Sequence, residues 1–285
     1  AVRLPVLHKL WAEILIKIPS PADGAPLLEL AAGSGSVSRH ISKIPHLAAS
    51  TQLALDASVE ALSELRCGET AIVGDLNCLP FTQRSMHLIT SQFGVEYAGL
   101  DGFANAVDCL SVGGHFAFVM HLSDGVIHEE CVSNRRLIGH FLESSFLPVA
   151  QGLINTSTGA QLNPDHHEKA QMFRQTLSGV EQLLISANDG QAKDTLLQVY
   201  NAVADMVEAP RHYEAAVVDR WFSKTHAELT GYAQRMDQMC RSALSEQDRT
   251  AMTQLAEMRG FEITRHGIVY NDENGLQPTP VAWHI

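Results

Sequence analysis

Short apolar runs alternate with segments of helical periodicity through the first 120 residues of the chain. The runs are residues 27–30, 52–55, 71–73, 87–91 and 115–120. Between them, at residues 37–44, 58–66 and 102–110, apolar side chains recur every three or four positions, as on one face of a helix. This alternation of strand and helix predicts an α/β fold with a doubly wound, mostly parallel sheet that is covered by helices on both faces.

The second half of the chain has helical periodicity almost throughout, from about residue 126 to residue 258. The segments are 131–141, 167–185, 192–207, 213–244 and 246–258, with turns at 155–164 and 188–190. Strand character returns at 261–270 and 281–285, around a stretch rich in turn formers at 271–279. We therefore predict seven strands, a closing antiparallel hairpin, and a large helical insertion after the fifth strand. The predicted domains are residues 1–123 with 259–285, and residues 124–258.

The N-terminal segment, residues 1–20, has the pattern of an amphipathic helix rather than of a signal peptide. Leu7, Leu10, Ile14 and Ile18 share one face, and charged residues interrupt the apolar stretch at helical spacing. The chain contains no run of eighteen apolar residues, so no membrane partner is expected.

Composition narrows the choice of partner and compartment. The formal net charge of the 285 residues is −12, and no run rich in lysine or arginine occurs. A nucleic-acid backbone requires a basic surface, so we expect no nucleic-acid partner. Five dispersed cysteines without a CxxC pair indicate reduced thiols and a cytoplasmic protein.

The sequence "LLELAAGSGSVS", residues 27–38, places a glycine-rich turn directly after a buried strand. Gly33 and Gly35 would allow a ligand to approach the backbone, and the helix that follows would direct its N–H groups towards that ligand. Open α/β sheets bind ligands at this edge, where the strand order reverses. The alternative is that the glycines only make a tight turn between strand and helix.

Two acids favour a nucleoside ligand. Asp56 closes the second strand and could accept hydrogen bonds from both ribose hydroxyls, while Asp75 follows the third strand. The alternative is that Asp75 serves only as a turn or helix-capping residue. Dinucleotide-binding enzymes place a third glycine where this chain has Ser38, and they rarely carry an acid such as Glu29 before the turn.

These blocks, together with "LALDAS", "IVGDLNCLPF", "MHLITSQFGVEYAGL" and "LSVGGHFAFVMH", resemble the class I S-adenosylmethionine-dependent methyltransferases. The resemblance covers residues 27–121 and the two C-terminal strands. It implies S-adenosyl-L-methionine as cofactor, a Rossmann-like sheet, and a methyltransferase acting on a small molecule, because the (N/D)PPY block of many N-methylating enzymes is absent. The implied cofactor-binding residues are Glu29, Ala31, Gly33, Ser34, Gly35, Asp56, Ala57, Asp75, Leu76, Ser91, Gln92 and Phe93.

Within this resemblance, Gly33 and Gly35 would line the methionine part of the cofactor, and Glu29 would orient the site or meet the amino group. Asp56 would hold the ribose hydroxyls, and Asp75 would accept from the adenine amino group beside the backbone of Leu76. The three residues that end the fourth strand would border the cofactor and the entering substrate.

Methyl transfer needs a general base only for some acceptors, such as a hydroxyl or a protonated amine. His121, at the end of the fifth strand, is the first candidate, and Glu96 and Tyr97 come next. The alternative is that His121 is a hydrogen-bonded strand-end residue and that the other two pack in a loop. His166 and His167 diverge on a helix and make no known ligand set, so we predict no metal site.

The helical insertion is expected to form a lid over the cofactor and to shape a partly apolar pocket for the small-molecule acceptor. Its apolar inner positions would include Leu137, Phe141, Phe146, Leu183, Val199 and Val203. A homodimer interface is the alternative use of these helices. Two other functions stay open at this point: a catalytically silent S-adenosylmethionine-binding sensor or partner subunit, and an NAD-dependent oxidoreductase, which Ser38 disfavours.

Overall fold

The structure is a computed structural model that describes residues 5–21, 24–157, 165–264, 267–271 and 279–284. Its strands are β1 (Leu27–Leu30), β2 (Gln52–Asp56), β3 (Thr70–Val73), β4 (Met86–Gln92), β5 (Leu110–His121), β6 (Gly267–Asn271) and β7 (Thr279–His284). They form one sheet in the order β3-β2-β1-β4-β5-β7-β6. Strands β1 to β5 are parallel, and β7 is antiparallel to both of its neighbours. The prediction of an α/β fold with a parallel sheet is confirmed for five strands.

Helices follow the parallel strands and then dominate the second half of the chain. They are α1 (Pro5–Leu15), α2 (Ser38–Ile41), α3 (Pro45–Ala48), α4 (Val59–Leu62), α5 (Gly99–Asp108), α6 (Val126–Glu143), α7 (Phe146–Ser157), α8 (His166–Ser186), α9 (Gln191–Glu208), α10 (Ala215–Ser242) and α11 (Glu246–Met258). Local sequence defines two of the starts. The hydroxyl of Ser58 accepts from the N–H of Ala61 at α4, and Ser245 forms a capping box with Asp248 at α11.

The strand order reverses between β1 and β4. From β1 the chain proceeds outward to β2 and β3, then returns to the other side of β1 for β4 and β5. Leu30 pairs with both Leu55 and Ser91, so the carboxyl ends of β1, β2 and β4 lie at the same edge. A crevice is expected at such a reversal, and it is there that α/β sheets bind ligands.

The chain divides into two compact units, Ala1–Glu129 with Arg241–Ile285, and Glu130–Cys240. In the first unit, Leu28, Ile89 and Phe118 of the sheet are buried with Phe103 of α5 and Met252 of α11. Helix α11 falls, by the sequence analysis, in the insertion that is predicted to end at residue 258. It groups with the α/β unit because its apolar face forms part of this core.

The helical unit has a core of its own. Phe141, Phe146 and Val203 are buried together, and Leu137, Leu183 and Val199 pack against them. These are the apolar positions that the sequence suggested for the inner face of a lid, and they serve first to hold the helices of this unit to one another. That the unit covers the cofactor stays a prediction.

By length and composition alone, the stretch Val126–Ser157 is long and apolar enough to cross a membrane, with a mean hydropathy of 1.2 over its best window. Two features of this stretch suit a core segment. It is divided between α6 and α7 at Ser145, which has a left-handed φ of 59°. Several of its apolar side chains, including Ile138, Phe141 and Ile154, are buried in the helical core.

Several predicted boundaries were wrong. Strand β5 begins at Leu110 rather than at residue 115, because Gly113, with a φ of +76°, lets the strand continue through an irregular register against β4. Strand β6 begins at Gly267 rather than at residue 261. Helix α7 runs to Ser157, into the predicted turn at 155–164. The rest of that predicted turn, residues 272–278 of the stretch rich in turn formers, and residues 1–4 lie outside the described residues.

Candidate functional site

The carboxylate of Glu29 holds the turn that follows β1. It accepts hydrogen bonds from the N–H groups of Val37 (2.8 Å) and Ser38 (2.7 Å), and from the hydroxyls of Ser38 (2.5 Å) and Ser36 (3.3 Å). Burial raises the pKa of Glu29 above its usual value, and these four donors act in the opposite direction. Of the two predicted roles for Glu29, the geometry favours orienting the site, because its acceptor capacity is taken up by the turn.

The two glycines of the turn have different surroundings. Both have left-handed backbones, with φ of +52° at Gly33 and +78° at Gly35. A Cβ atom at Gly33 would meet no protein atom within 4 Å, whereas one at Gly35 would lie 2.9 Å from Leu65 Cδ2 and 3.2 Å from Glu69 Oε1. Gly33 therefore offers an open approach to the backbone, and Gly35 is required by close packing.

Asp56 is fixed by backbone donors on both carboxylate oxygens. The N–H of Gly33 donates to Oδ2 and the N–H of Ser58 donates to Oδ1, each at 2.8 Å. Each carboxylate oxygen can accept a second hydrogen bond. The side chain is only half buried, so the two remaining acceptor positions can be offered to a pair of adjacent hydroxyl groups, such as those of a ribose.

A cavity of about 420 Å³ lies beside Asp56 at the carboxyl edge of the sheet. It is lined by Ala31, Leu55, Asp56, Ala57, Gly74, Asp75, Leu76, Asn77, Phe93, Gly94, Tyr97 and Ala98. This volume is within the range of small-molecule sites. Two of the twelve lining residues are acids and none is basic, so the cavity favours a neutral or cationic ligand.

Asp75 also lines this cavity, two residues after the end of β3. Its Oδ1 accepts from the backbone N–H of Asn77 at 2.9 Å and from the side-chain amide of Asn77 at 3.3 Å. This is the self-bonded turn typical of aspartate. The turn role and the predicted binding role are compatible, because Oδ2 is not used in it.

The cavity is lined by two strained residues. Ala31 and Phe93 have left-handed backbones, with φ of +48° and +56°, although neither is glycine. Gly94 passes so close to Ala31 that a Cβ atom on Gly94 would lie 2.2 Å from the Cβ of Ala31. Strain of this kind is retained where the surrounding structure holds it, often at a ligand site.

The three predicted catalytic residues lie together but differ in exposure. His121 Nδ1 is 2.6 Å from Glu96 Oε1, and both side chains have no accessible surface. The ring of Tyr97 lies 6.0 Å from the imidazole, lines the cavity and is 45% exposed. Only Tyr97 of the three can touch a ligand in this arrangement. His121 and Glu96 can act on an acceptor only through other groups.

The residues that end β4 have distinct roles. The hydroxyl of Ser91 is buried, donates to the carbonyl of Leu30 at 3.0 Å and accepts from the N–H of Val95 at 3.1 Å, so it connects β1 to the loop after β4. Gln92 accepts a hydrogen bond from the indole N–H of Trp11 at 2.6 Å. Ser34, like the glycines beside it, belongs to the turn.

Sequence reasoning missed the partner of Gln92, which is Trp11, and five residues that line the cavity: Leu55, Gly74, Asn77, Gly94 and Ala98. The spacing of Asp75 and Asn77 is a recognisable turn signal, and a glycine two residues after the end of the fourth strand is typical of a close approach between backbones. No local sequence pattern predicts the role of Trp11, because this residue lies 81 positions from its partner Gln92.

His166, which the sequence analysis considered for a metal site, has a different partner in the structure. Its Nδ1 lies 3.1 Å from the hydroxyl oxygen of Ser157.

The fold and the site together define an α/β protein with an acidic ligand cavity at the reversal point of a parallel sheet. No family model matches the chain, and no curated protein matches it significantly. Many solved structures do, and those with the highest probability include S-adenosylmethionine-dependent methyltransferases, the class that the sequence resembles.

Three of these structures illustrate the likeness. An S-adenosylmethionine-dependent methyltransferase from Mesorhizobium loti is 26% identical over 41% of this chain and 54% of its own, with a TM-score of 0.35. The complex of the Haloferax volcanii Trm112 methyltransferase activator with a methyltransferase aligns at 22% identity over 40% of this chain and 53% of that one, with a TM-score of 0.35. Geranyl diphosphate C-methyltransferase from Streptomyces coelicolor A3(2) aligns at 16% over 41% and 46%, with a TM-score of 0.34.

The matched part spans only about half the length of these structures. At such TM-scores the likeness assigns no function by itself. Any assignment of function therefore depends on the geometry of the cavity and of the glycine turn.

Proposed function

We propose that this protein binds S-adenosylmethionine at the carboxyl edge of its sheet and transfers the methyl group to a small-molecule acceptor. The bound sulfonium would supply an activated methyl group: the acceptor would attack the methyl carbon in line as the carbon–sulfur bond breaks, and S-adenosylhomocysteine would leave as a neutral thioether. The chain's own residues would then mainly bind the cofactor, hold it in line with the acceptor and exclude water.

One observation favours S-adenosylmethionine over a dinucleotide as the ligand of this site. In dinucleotide-binding folds, the N–H groups at the start of the helix after the first strand bind the pyrophosphate. Here the N–H groups of Val37 and Ser38 already donate to the buried carboxylate of Glu29. A pyrophosphate would have to displace a carboxylate from its own donors. A nucleoside without phosphate groups, such as S-adenosylmethionine, makes no such demand.

The cavity supports the same ligand. Asp56 presents two acceptor positions for ribose hydroxyls, and Asp75 lines the same cavity, where its Oδ2 would accept from an adenine amino group. The acidic lining suits a ligand that carries a sulfonium and an ammonium group. The small-molecule acceptor is proposed because the net charge of −12 disfavours nucleic acid.

Isothermal titration calorimetry tests the cofactor. We expect the protein to bind S-adenosylmethionine and S-adenosylhomocysteine but not NAD. Asp56→Ala should weaken S-adenosylhomocysteine binding by about tenfold or more, because two hydrogen bonds to a charged group are lost. Asp205→Ala, an exposed change on α9, should leave the affinity unchanged. Binding of NAD alone, or an unchanged affinity in Asp56→Ala, would contradict the proposal.

Turnover separates a transferase from a protein that only binds the cofactor. Formation of S-adenosylhomocysteine from S-adenosylmethionine in the presence of a metabolite pool would establish transfer. Tyr97 is the catalytic candidate that this structure exposes to the cavity, so Tyr97→Phe tests whether its hydroxyl takes part. A cytoplasmic location and a homodimer stay predictions from the sequence.

A further inference from the structure

The indole of Trp11 determines which end of the Gln92 amide is available to a ligand. An indole N–H can only donate a hydrogen bond, so the group that faces it must be the amide oxygen of Gln92. The distance between Trp11 Nε1 and Gln92 Oε1 is 2.6 Å, and the tryptophan has no exposed surface. The NH₂ group of Gln92 is thereby directed away from Trp11, and no described residue accepts from it.

Gln92 projects on the face of the sheet that carries the glycine turn. Thr90 pairs with Glu29 across the parallel strands, and residues two apart on a strand share a face, so Gln92 lies on the same face as Glu29. Glu29 holds the turn on that face. Helix α1, which carries Trp11, also reaches this face, where His8 of α1 lies 5.0 Å from His40 of α2, measured between ring centroids.

The strand order sets out the polar groups in one line along the carboxyl edge. Asp75 follows β3, Asp56 ends β2, the turn at Gly33 follows β1, and Gln92 ends β4. These four strands are neighbours, so the line spans three strand spacings, about 14 Å. If the base of a nucleoside lies at Asp75 and its ribose at Asp56, its 5′ substituent would pass Gly33 and end at Gln92.

We propose that Trp11 and Gln92 form a carboxylate-binding site that reads the amino-acid end of the cofactor. This inference rests on the proposed function and names a specificity residue for it. The amino-acid end of S-adenosylmethionine carries an ammonium group, which needs acceptors, and a carboxylate, which needs donors. Because the oxygen of Gln92 is bound to Trp11, the NH₂ group is the part of Gln92 that remains for a ligand, and a donor suits the carboxylate rather than the ammonium group. Trp11 is a positioning residue, and Gln92 touches the ligand.

The test compares two ligands that differ at this end. S-adenosylhomocysteine carries the carboxylate, and 5′-methylthioadenosine lacks the whole amino-acid part. Gln92→Glu keeps an oxygen for Trp11 but replaces the two N–H donors by a second oxygen. We expect this variant to bind S-adenosylhomocysteine about tenfold more weakly, or worse, and to bind 5′-methylthioadenosine within about twofold of the parent.

Two further variants complete the experiment. Trp11→Phe keeps an aromatic ring but removes the donor that orients the amide of Gln92. It should therefore weaken the binding of S-adenosylhomocysteine by about threefold and leave the binding of 5′-methylthioadenosine unchanged. Gln83→Glu, an exposed change of the same charge, should alter neither affinity. Unfolding temperatures confirm that each variant is folded.

The outcomes are distinct. Selective loss of S-adenosylhomocysteine binding in Gln92→Glu supports the carboxylate site. Equal loss of both ligands, or no loss of either, overturns it while leaving the proposed function intact. Failure of the parent protein to bind S-adenosylhomocysteine contradicts the proposed function itself.

Discussion

His121 Nδ1 lies 2.6 Å from Glu96 Oε1, and neither side chain has any accessible surface. The pair joins the end of β5 to the 3₁₀ turn at Val95–Ala98, where Tyr97 faces the cavity. Glu96 Oε2 is also buried and makes no hydrogen bond among the residues described. The backbone N–H of His121, 3.3 Å from Glu96 Oε1, adds a further donor to the same oxygen.

Removing one partner of this pair should leave a buried polar group without its match. We expect Glu96→Ala and His121→Ala each to lower the free energy of unfolding by about 3–5 kcal/mol. The double variant should lose clearly less unfolding free energy than the sum of the two single losses, because it leaves neither buried side chain without its partner. Urea denaturation measures all three.

An exposed ion pair in the helical unit gives the matched control. Lys224 Nζ and Glu228 Oε1 are 3.7 Å apart on the surface of α10. Lys224→Ala should change the free energy of unfolding by less than about 1 kcal/mol. Strictly additive losses at Glu96 and His121 would show that the two side chains are not coupled.

Stability should depend on pH through His40. Burial, followed by the charges of His8, Lys43 and Arg39, lowers its pKa from 6.5 to about 4. Between these values the unfolded chain binds a proton that the folded chain does not. The free energy of unfolding should therefore fall as the pH drops from 6.5 to 4, with a modest amplitude because the ring is only half buried.

Thermal unfolding between pH 4 and 8 measures this effect. His40→Gln should flatten the profile, and His8→Gln should do so partly, because removing His8 allows the pKa of His40 to rise. His167→Gln, an exposed change on α8, should leave the profile as in the parent. A parent profile that is flat from pH 6.5 to pH 4 would contradict the burial of a neutral His40.

Ala31 and Gly94 should be coupled. A Cβ atom on Gly94 would overlap that of Ala31 at 2.2 Å, and Ser91 Oγ would lie 3.1 Å from it. We expect Gly94→Ala to cost about 1–3 kcal/mol of stability. Ala31→Gly removes the opposing Cβ and relieves a left-handed alanine, so it should restore much of that loss in the double variant.

Ala31→Gly alone has two opposing effects. It relieves strain of about 1–2 kcal/mol at a φ of +48° but raises the entropy of the unfolded chain. The net change should be small and stabilising, and a melting curve measures it. If Ala31→Gly fails to rescue Gly94→Ala, the contact between these two positions is not the source of the loss.

The two glycines of the turn should respond differently to alanine. Both substitutions incur the cost of a left-handed alanine, about 1–2 kcal/mol. Gly35→Ala also forces Leu65 and Glu69 to move, so it should lose more stability, by about 1 kcal/mol. Gly33→Ala projects into open space, so its main effect should be on ligand affinity. Equal stability losses in urea denaturation would contradict this distinction.

The local pattern was sufficient to predict the parallel strands, the turn and the acids that follow the strands. Strands β1 to β5 were found within a few residues of their apolar runs, because a buried strand shows its burial in its own residues. The carboxyl ends of parallel strands meet at one edge, so Asp56, Asp75 and the turn at Gly33 could be grouped from the sequence alone.

Only the tertiary structure decided what each polar group at that edge is bound to. Glu29 is taken up by its own turn, Ser91 bonds to the neighbouring strand, and His121 is buried against Glu96. The amide of Gln92 is oriented by Trp11, 81 residues away. Hydrogen bonds between distant residues depend on how helices are placed against the sheet. Hydrophobic periodicity determines which face of a helix or strand is buried, but it does not determine which polar atoms on neighbouring elements become hydrogen-bonding partners.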